Sequence, residues 1–296
     1  LRLAAIDIGS NAARLLVSEV VRTSDSTPDF NKLNLIRIPL RLGFDVFEYS
    51  RIMPAKEEMI LQTMHAYKYL LSIYEVIHYK ACATSAMRDA VNAPGILQRI
   101  KNETGILVEV ISGEEEASVI YENHIAENMN KEHPYLYIDV GGGSTELTLF
   151  HENQMIFKES FNIGTIRLLK NQVSESHWFK MRDFIRDKTK PFKNLVAIGT
   201  GGNINKVFSM SKKKDGKPLS LELLKDYHKE LSSVSLAQRM KLYSLREDRA
   251  DVIVPALLIF VNVMRWAGAN EIFVPKIGLA DGLIQHLYKE LMMREI

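Results

Sequence analysis

At 296 residues with 46% hydrophobic side chains, the chain is long enough for two domains that each bury a core, which excludes disorder as a description of the whole. Its 38 Lys+Arg against 36 Asp+Glu leave a formal charge of +2, without the basic excess of a dedicated nucleic-acid binder. One cysteine, Cys82, cannot close an internal disulfide and suits a reducing, cytoplasmic setting.

Strand-like runs lie at 2–8, 13–21 and 33–39, separated by Gly9-Ser10-Asn11 and by a polar loop around 23–29. Pro54 opens an amphipathic helix to about Glu75. A strand over 76–83, helices over 85–91 and 94–104 ending at Gly105, a strand at 107–111 and a helix from Gly113 to about Asn128 follow. From Pro134 the order begins again, with strands at 135–140, 145–150 and 154–162, helices within 164–189 and a strand at 194–199. Helices then run from 202 to 268, interrupted by a loop over 211–218, before a strand at 270–274 and a closing helix from about 279. The most apolar run, 252–261, holds ten residues including Pro255, against the roughly 20 of a membrane span, so no membrane partner is expected. Leu1 opens the chain with neither an initiator Met nor a signal-like pattern, so a short N-terminal piece is expected to be missing and secretion has no support.

Both halves read βββ-α-β-α-β-α, which predicts two α/β domains, 1–128 and 129–296, facing one another. Ligands of open α/β sheets sit beyond the carboxyl ends of the strands. Two such ends match: Ile6-Asp7-Ile8-Gly9-Ser10-Asn11 lies over Ile138-Asp139-Val140-Gly141-Gly142-Gly143, each an Asp near a strand end followed by a turn into the next strand.

Gly141-Gly142-Gly143-Ser144-Thr145 can turn several backbone N–H groups on one anion, and phosphate is the natural guest. Gly9-Ser10-Asn11 is explained equally well as an ordinary tight turn. Gly199-Thr200-Gly201-Gly202 leads from a strand into a helix, whose N-terminus also favours an anion; it matches neither the Walker nor the dinucleotide pattern. Asp7 and Asp139 project beside these turns, where a divalent ion bridging phosphate oxygens would bind, and Glu146 across the hairpin can join them. In Ser112-Gly113-Glu114-Glu115-Glu116-Ala117, a capping box from Ser112 to Glu115 and the helix dipole account for Glu114 and Glu115. Glu116 shares a face with Val119 and Ile120, and a carboxylate partly desolvated there would have a raised pKa and could take a proton from water. Arg88 is either a surface ion-pair residue or a fork for phosphate oxygens. The eight histidines lack metal-ligand spacing, no serine sits in a nucleophile elbow, and Lys212-Lys213-Lys214 with Lys217 reads as a solvated loop.

Taken together, Ile6-Asp7-Ile8-Gly9-Ser10-Asn11, Ala83-Thr84-Ser85-Ala86-Met87-Arg88, Ile111-Ser112-Gly113-Glu114-Glu115-Glu116-Ala117, Asp139-Val140-Gly141-Gly142-Gly143-Ser144-Thr145-Glu146 and Ile198-Gly199-Thr200-Gly201-Gly202 resemble the exopolyphosphatase/guanosine pentaphosphate phosphohydrolase family. The stretches Arg249-Ala250-Asp251-Val252 and Gly278-Leu279-Ala280-Asp281-Gly282-Leu283 are similar to it too. The resemblance implies two ribonuclease-H-like domains of the actin-like ATPase superfold, shared with sugar kinases and Hsp70, around a central cleft. It also implies a Mg²⁺-dependent hydrolase that removes the terminal phosphate of inorganic polyphosphate or the 5′-phosphate of guanosine pentaphosphate. By position, Glu116 resembles the family's catalytic base and Arg88 its phosphate-binding arginine. Asp139 and Glu146 correspond to its metal-site acids. Ser144 and the turns Gly9-Ser10-Asn11, Gly141-Gly142-Gly143 and Thr200-Gly201-Gly202 correspond to phosphate contacts. A homodimer is compatible with the resemblance. The sequence departs from it at Ala12-Ala13-Arg14, at Pro275-Lys276-Ile277-Gly278 and within Arg41-Leu42-Gly43-Phe44-Asp45. Long members carry further C-terminal helical domains, whereas this sequence is expected to end near the actin-like core. A kinase or ATPase of the same superfold, or a non-catalytic polyphosphate or alarmone sensor, are the competing readings.

Overall fold

Strand β1 (Arg2–Ile8) is buried from Leu3 to Ile8, the pattern of a central strand covered on both faces. Its neighbours follow from the alternation of the flanking segments. β2 (Ala13–Val21) pairs antiparallel with β1 and with β3 (Asp29–Ile38), while β4 (His78–Ala83) pairs parallel with β1 and with the short β5 (Glu109–Val110). The resulting order, β3-β2-β1-β4-β5, is that expected of a ribonuclease-H-like sheet. The computed structural model describes residues 1–21, 28–121, 133–152, 154–275 and 277–294.

These residues fall into two compact units, Leu1–Asn123 with Leu279–Ile296, and His124–Gly278. The expected division into 1–128 and 129–296 is therefore corrected at its end: the last helix, α13 (Leu279–Arg294), belongs to the first unit. The reason is apolar. Leu279, Ala280, Leu283, Ile284 and Leu287 form one buried cluster with Leu3, Ala5, Leu16, Val20 and Cys82 of β1, β2 and β4. The same unit holds α1 (Leu42–Tyr49), α2 (Pro54–Ile73), α3 (Ser85–Asp89), α4 (Ala93–Thr104) and α5 (Gly113–Tyr121). Expected positions 122–128 of α5 lie outside the described residues. Helix α1 was not expected, because its N-cap is Arg41 in the left-handed region with no side-chain cap, so the usual start signal is missing.

The second unit repeats the opening order with β6 (Tyr135–Val140), β7 (Thr145–His151) and β8 (Gln154–Phe161), then α6 (Thr165–Leu169) and α7 (Glu175–Thr189). β9 (Val196–Thr200) runs parallel to β6, and β10 (Leu219–Ser220) and β11 (Glu271–Phe273) complete the order β10-β11-β9-β6-β7-β8. β10 follows the expected 211–218 loop, at positions expected to be helical, and is only two residues long, too short for a periodic signal. Around the sheet lie α8 (Gly202–Ser211), α9 (Leu221–Ser232), α10 (Leu236–Tyr243), α11 (Glu247–Ala250) and α12 (Ile253–Ala267). By length and composition the stretch Glu247–Ala267 could cross a membrane, which the ten-residue count at 252–261 did not anticipate. Its most apolar window is 61% buried within the chain, and Ile253, Ala256, Leu257, Ile259, Phe260, Val263 and Met264 sit in the main core of this unit. Its apolar composition is that of a core helix.

Candidate active site

The glycine turn of the second unit is held from behind. Gly141 N–H donates to Ser144 O at 2.9 Å and closes the hairpin between β6 and β7. The carbonyls of Gly141 and Gly142 accept from the Thr165 and Ile166 N–H groups at 3.0 and 2.8 Å, and Gly143 O accepts from Arg167 Nε at 2.7 Å. Helix α6 thus ties down the oxygen side of the turn, the arrangement that leaves N–H groups for an anion. Gly164 makes the approach feasible, since a Cβ there would come to 2.5 Å from the carbonyl carbons of Gly142 and Gly143.

Turn Gly9-Ser10-Asn11 follows the same plan with different side chains. Gly9 N–H donates to Ala12 O, and the carbonyls of Ser10 and Asn11 accept from Gly43 and Arg41 N–H groups at 2.8 and 2.9 Å. The helix behind this turn is α1, as α6 lies behind the other. The two turns thus share one backbone plan. The Ser10 hydroxyl, 3% exposed as a residue, also meets the Ser85 hydroxyl at 2.7 Å and fixes the turn to the start of α3.

Two acids stand together in the second unit. Asp139 on β6 and Glu146 on β7 are direct cross-strand partners, and their nearest carboxylate oxygens lie within 4.8 Å, close enough to share a cation. Each is oriented by a hydroxyl: Thr200 Oγ1 donates to Asp139 Oδ1 at 2.6 Å, and Ser160 Oγ to Glu146 Oε1 at 3.0 Å. Gly201, at φ 96°, sits in the left-handed region that glycine tolerates, and a Cβ there would crowd Asp139 Oδ1 at 3.0 Å. Oxygen-only donors of this kind suit a hard divalent ion such as Mg²⁺.

Asp7 has a different environment from the one expected of a metal ligand. It is buried, and its Oδ2 is taken by Arg14 Nη1 at 2.6 Å, from the residue opposite it on β2. Arg14, noted in the sequence only as a departure from the family pattern, thus neutralises the acid of the first turn.

Arg88 and Glu116 are both anchored around 111–112. Arg88 Nη1 donates to Ile111 O at 2.8 Å, which ties α3 to the segment entering α5. The capping box forms as the spacing predicts, with Ser112 N–H donating to Glu115 Oε2 at 2.7 Å and Glu115 N–H to Ser112 Oγ at 3.1 Å. Glu115 is consumed by the cap, whereas Glu116 is buried in the same turn. Cys82, paired in register with Asp7, registers this environment: burial first, then the charges of Asp7, Glu116 and Glu109, push its thiol pKa well up against the smaller opposing pull of Lys80.

One residue beyond the expected set joins the third turn. Arg249 Nη1 donates to Asn203 Oδ1 at 2.8 Å, and its guanidinium lies where a Cβ on Gly202 would be 2.7 Å from Nη1. The only sequence signal for it was the similar stretch Arg249-Ala250-Asp251-Val252.

Comparison with known proteins gives a consistent result. The sequence model of the Ppx/GppA phosphatase family matches residues 20–291. The bifunctional 3-dehydroquinate synthase/phosphatase of Fusobacterium nucleatum is 27% identical over 293 residues, covering 92% of this chain and 44% of that protein, so this chain spans less than half of its length. Exopolyphosphatase 2 of Mycobacterium tuberculosis is 24% identical over 311 residues, with 95% and 97% coverage. Among solved structures, the Ppx/GppA family member of Aquifex aeolicus superposes with a TM-score of 0.75 at 26% identity, covering 98% of each chain. An exopolyphosphatase from Cytophaga hutchinsonii gives 0.81 at 25% identity, covering 99% of this chain and 98% of its own.

Proposed function

From a chain that belongs to the Ppx/GppA phosphatase family, we propose an exopolyphosphatase that releases the terminal phosphate of inorganic polyphosphate by attack of water. The carrying observation is Glu116. It is a buried carboxylate in the first turn of α5, and the neighbouring Glu115 already meets the capping need. A full-length match to an exopolyphosphatase supports the choice of substrate.

Within each unit, backbone N–H groups of the turns, at 10–11 in the first and at 142–144 and 200–202 in the second, are the candidate donors to phosphate oxygens, and Arg88 is a planar fork of the kind that grips them. Asp139 and Glu146 would hold Mg²⁺, which supplies positive charge to offset that of the terminal phosphate when bound. Glu116 orients a water and takes its proton as the water oxygen attacks phosphorus. The bond from phosphorus to the bridging oxygen breaks, and the shortened chain leaves with that oxygen. The buried thiol of Cys82 is compatible with a reducing cytoplasm.

The test is phosphate release from long polyphosphate, tripolyphosphate and guanosine pentaphosphate, with Mg²⁺ and without added nucleotide. Polyphosphate is expected to turn over fastest, and Glu116→Gln to lower that rate by about 10²–10⁴-fold with the fold intact. Native turnover by Glu116→Gln would refute the assignment. Faster turnover of guanosine pentaphosphate would transfer it to the 5′-phosphohydrolase reading, ATP-dependent phosphoryl transfer would make the protein a kinase, and tight binding without turnover a sensor.

A further inference from the structure

Helices α5 and α13 meet backbone against side-chain-free backbone. A Cβ at Gly282 would lie 2.7 Å from Val119 C and 2.9 Å from Val119 Cγ1, and nearer still to Val119 O. Real Cβ atoms do not occupy such positions, so even one methyl must separate the helices. Gly282 is not among the residues of positive φ, which makes space rather than backbone conformation the reason for glycine.

Helix α13 cannot easily be the partner that yields. Leu279, Ala280, Leu283, Ile284 and Leu287 lock it onto the sheet. Lys32 of β3 pairs with Asp281 at 2.5 Å, and Lys80 of β4 with Glu290 at 3.1 Å. Helix α5 has its start fixed by the Ser112–Glu115 box and by Arg88 on Ile111, so a push at Val119 acts on the helix beyond that anchor. Val119 stands three residues after Glu116, on a neighbouring position of the same helix face. A displacement at Val119 is therefore transmitted through less than one turn to the Glu116 carboxylate.

We propose that Gly282 is a positioning residue for Glu116: its missing side chain lets α5 settle against α13, and that contact sets where the carboxylate stands. This inference rests on Glu116 being the base. A misplacement of about 1 Å costs on the order of 10²-fold in rate, so the glycine acts on kcat rather than on substrate binding.

The experiment is a double-mutant cycle on polyphosphate hydrolysis with Gly282→Ala, Glu116→Gln and the pair. Gly282→Ala should lower kcat about 100-fold with KM within about threefold, and should have no further effect once Glu116 is replaced. A control, Leu283→Ala, weakens the sheet side of the same helix and should lower Tm while leaving kcat within about twofold. If Gly282→Ala does not accumulate folded, Val119→Ala loosens the same contact and should lower kcat with the same non-additivity. Three results overturn the inference: native kcat in Gly282→Ala, an additional loss of similar size in the pair, or an equal kcat loss in Leu283→Ala. Native kcat in Glu116→Gln would instead remove the base itself, and this inference with it.

Discussion

Thr200 Oγ1 and Asp139 Oδ1 are 2.6 Å apart, on residues that face one another across the parallel strands β9 and β6. The threonine is almost wholly buried, so its hydroxyl has few alternatives, and the bond fixes which way the Asp139 carboxylate points. Groups that orient a metal-binding carboxylate typically account for about 10–100-fold in metal affinity. Thr200→Val keeps the shape and deletes the donor. Half-maximal phosphate release should then need roughly tenfold more Mg²⁺, with a smaller change at saturating metal. An unaltered Mg²⁺ titration would show that Asp139 is oriented by something else.

Asp7 separates two roles that the sequence could not. With Oδ2 held by Arg14, Asp7→Asn should weaken a buried charge pair and cost on the order of 1–3 kcal/mol in thermal or denaturant unfolding. The Mg²⁺ concentration for half-maximal activity should stay where it is. A tenfold rise in that concentration would return Asp7 to the metal site.

Cys82 should be chemically silent in the folded protein. Burial and the nearby carboxylates of Asp7, Glu116 and Glu109 raise its thiol pKa, with Lys80 opposing, and the neutral thiol is a poor nucleophile. Iodoacetamide at pH 8 should leave it unmodified by mass spectrometry until denaturant is added. Rapid labelling of native protein would mean that β4 opens readily.

Glu290 gives a pH signature for the docking of α13. Burial raises its pKa, but the hydrogen bond and charge of Lys80, together with His286, outweigh burial and hold it below its ordinary 4.5. A folded pKa below the unfolded one contributes stability above pH 4.5 that is lost as pH falls through the folded value. The side chain is 40% exposed, so screening reduces the contribution to on the order of 0.5 kcal/mol, about 1–2 °C in Tm. Glu290→Gln should show that deficit at pH 7 and match the wild type in strong acid. A deficit independent of pH would assign it to packing.

Much of the candidate site rests on local sequence signals. Glu116 stood out once the Ser112–Glu115 spacing had accounted for its neighbour, and the three glycines at 141–143 exceed the needs of a hairpin. Arg249 and Gly282 could not be read the same way. Arg249 reaches Asn203 from 46 residues away, and the partner of Gly282 is a carbonyl in a helix 163 positions earlier. Helix α1 was hidden for a local reason: its start lacks a side-chain cap, and Arg41 takes a left-handed conformation that no sequence signal announces.

Sequence alone determined the strand-turn-strand repeat, because burial on both faces of β1 and β6 requires near-continuous apolar runs and the turns between strands require small residues. It likewise determined which acids and glycines each turn could offer. Tertiary structure decided where those groups point. Hydrogen bonds from α1 and α6 fix the carbonyl side of each turn, Arg14 withdraws Asp7 into an ion pair, and Thr200 and Ser160 orient Asp139 and Glu146. It also decided that α13 belongs with the first sheet, since a helix joins whichever apolar surface its stripe covers, and that choice depends on contacts among residues nearly 300 positions apart.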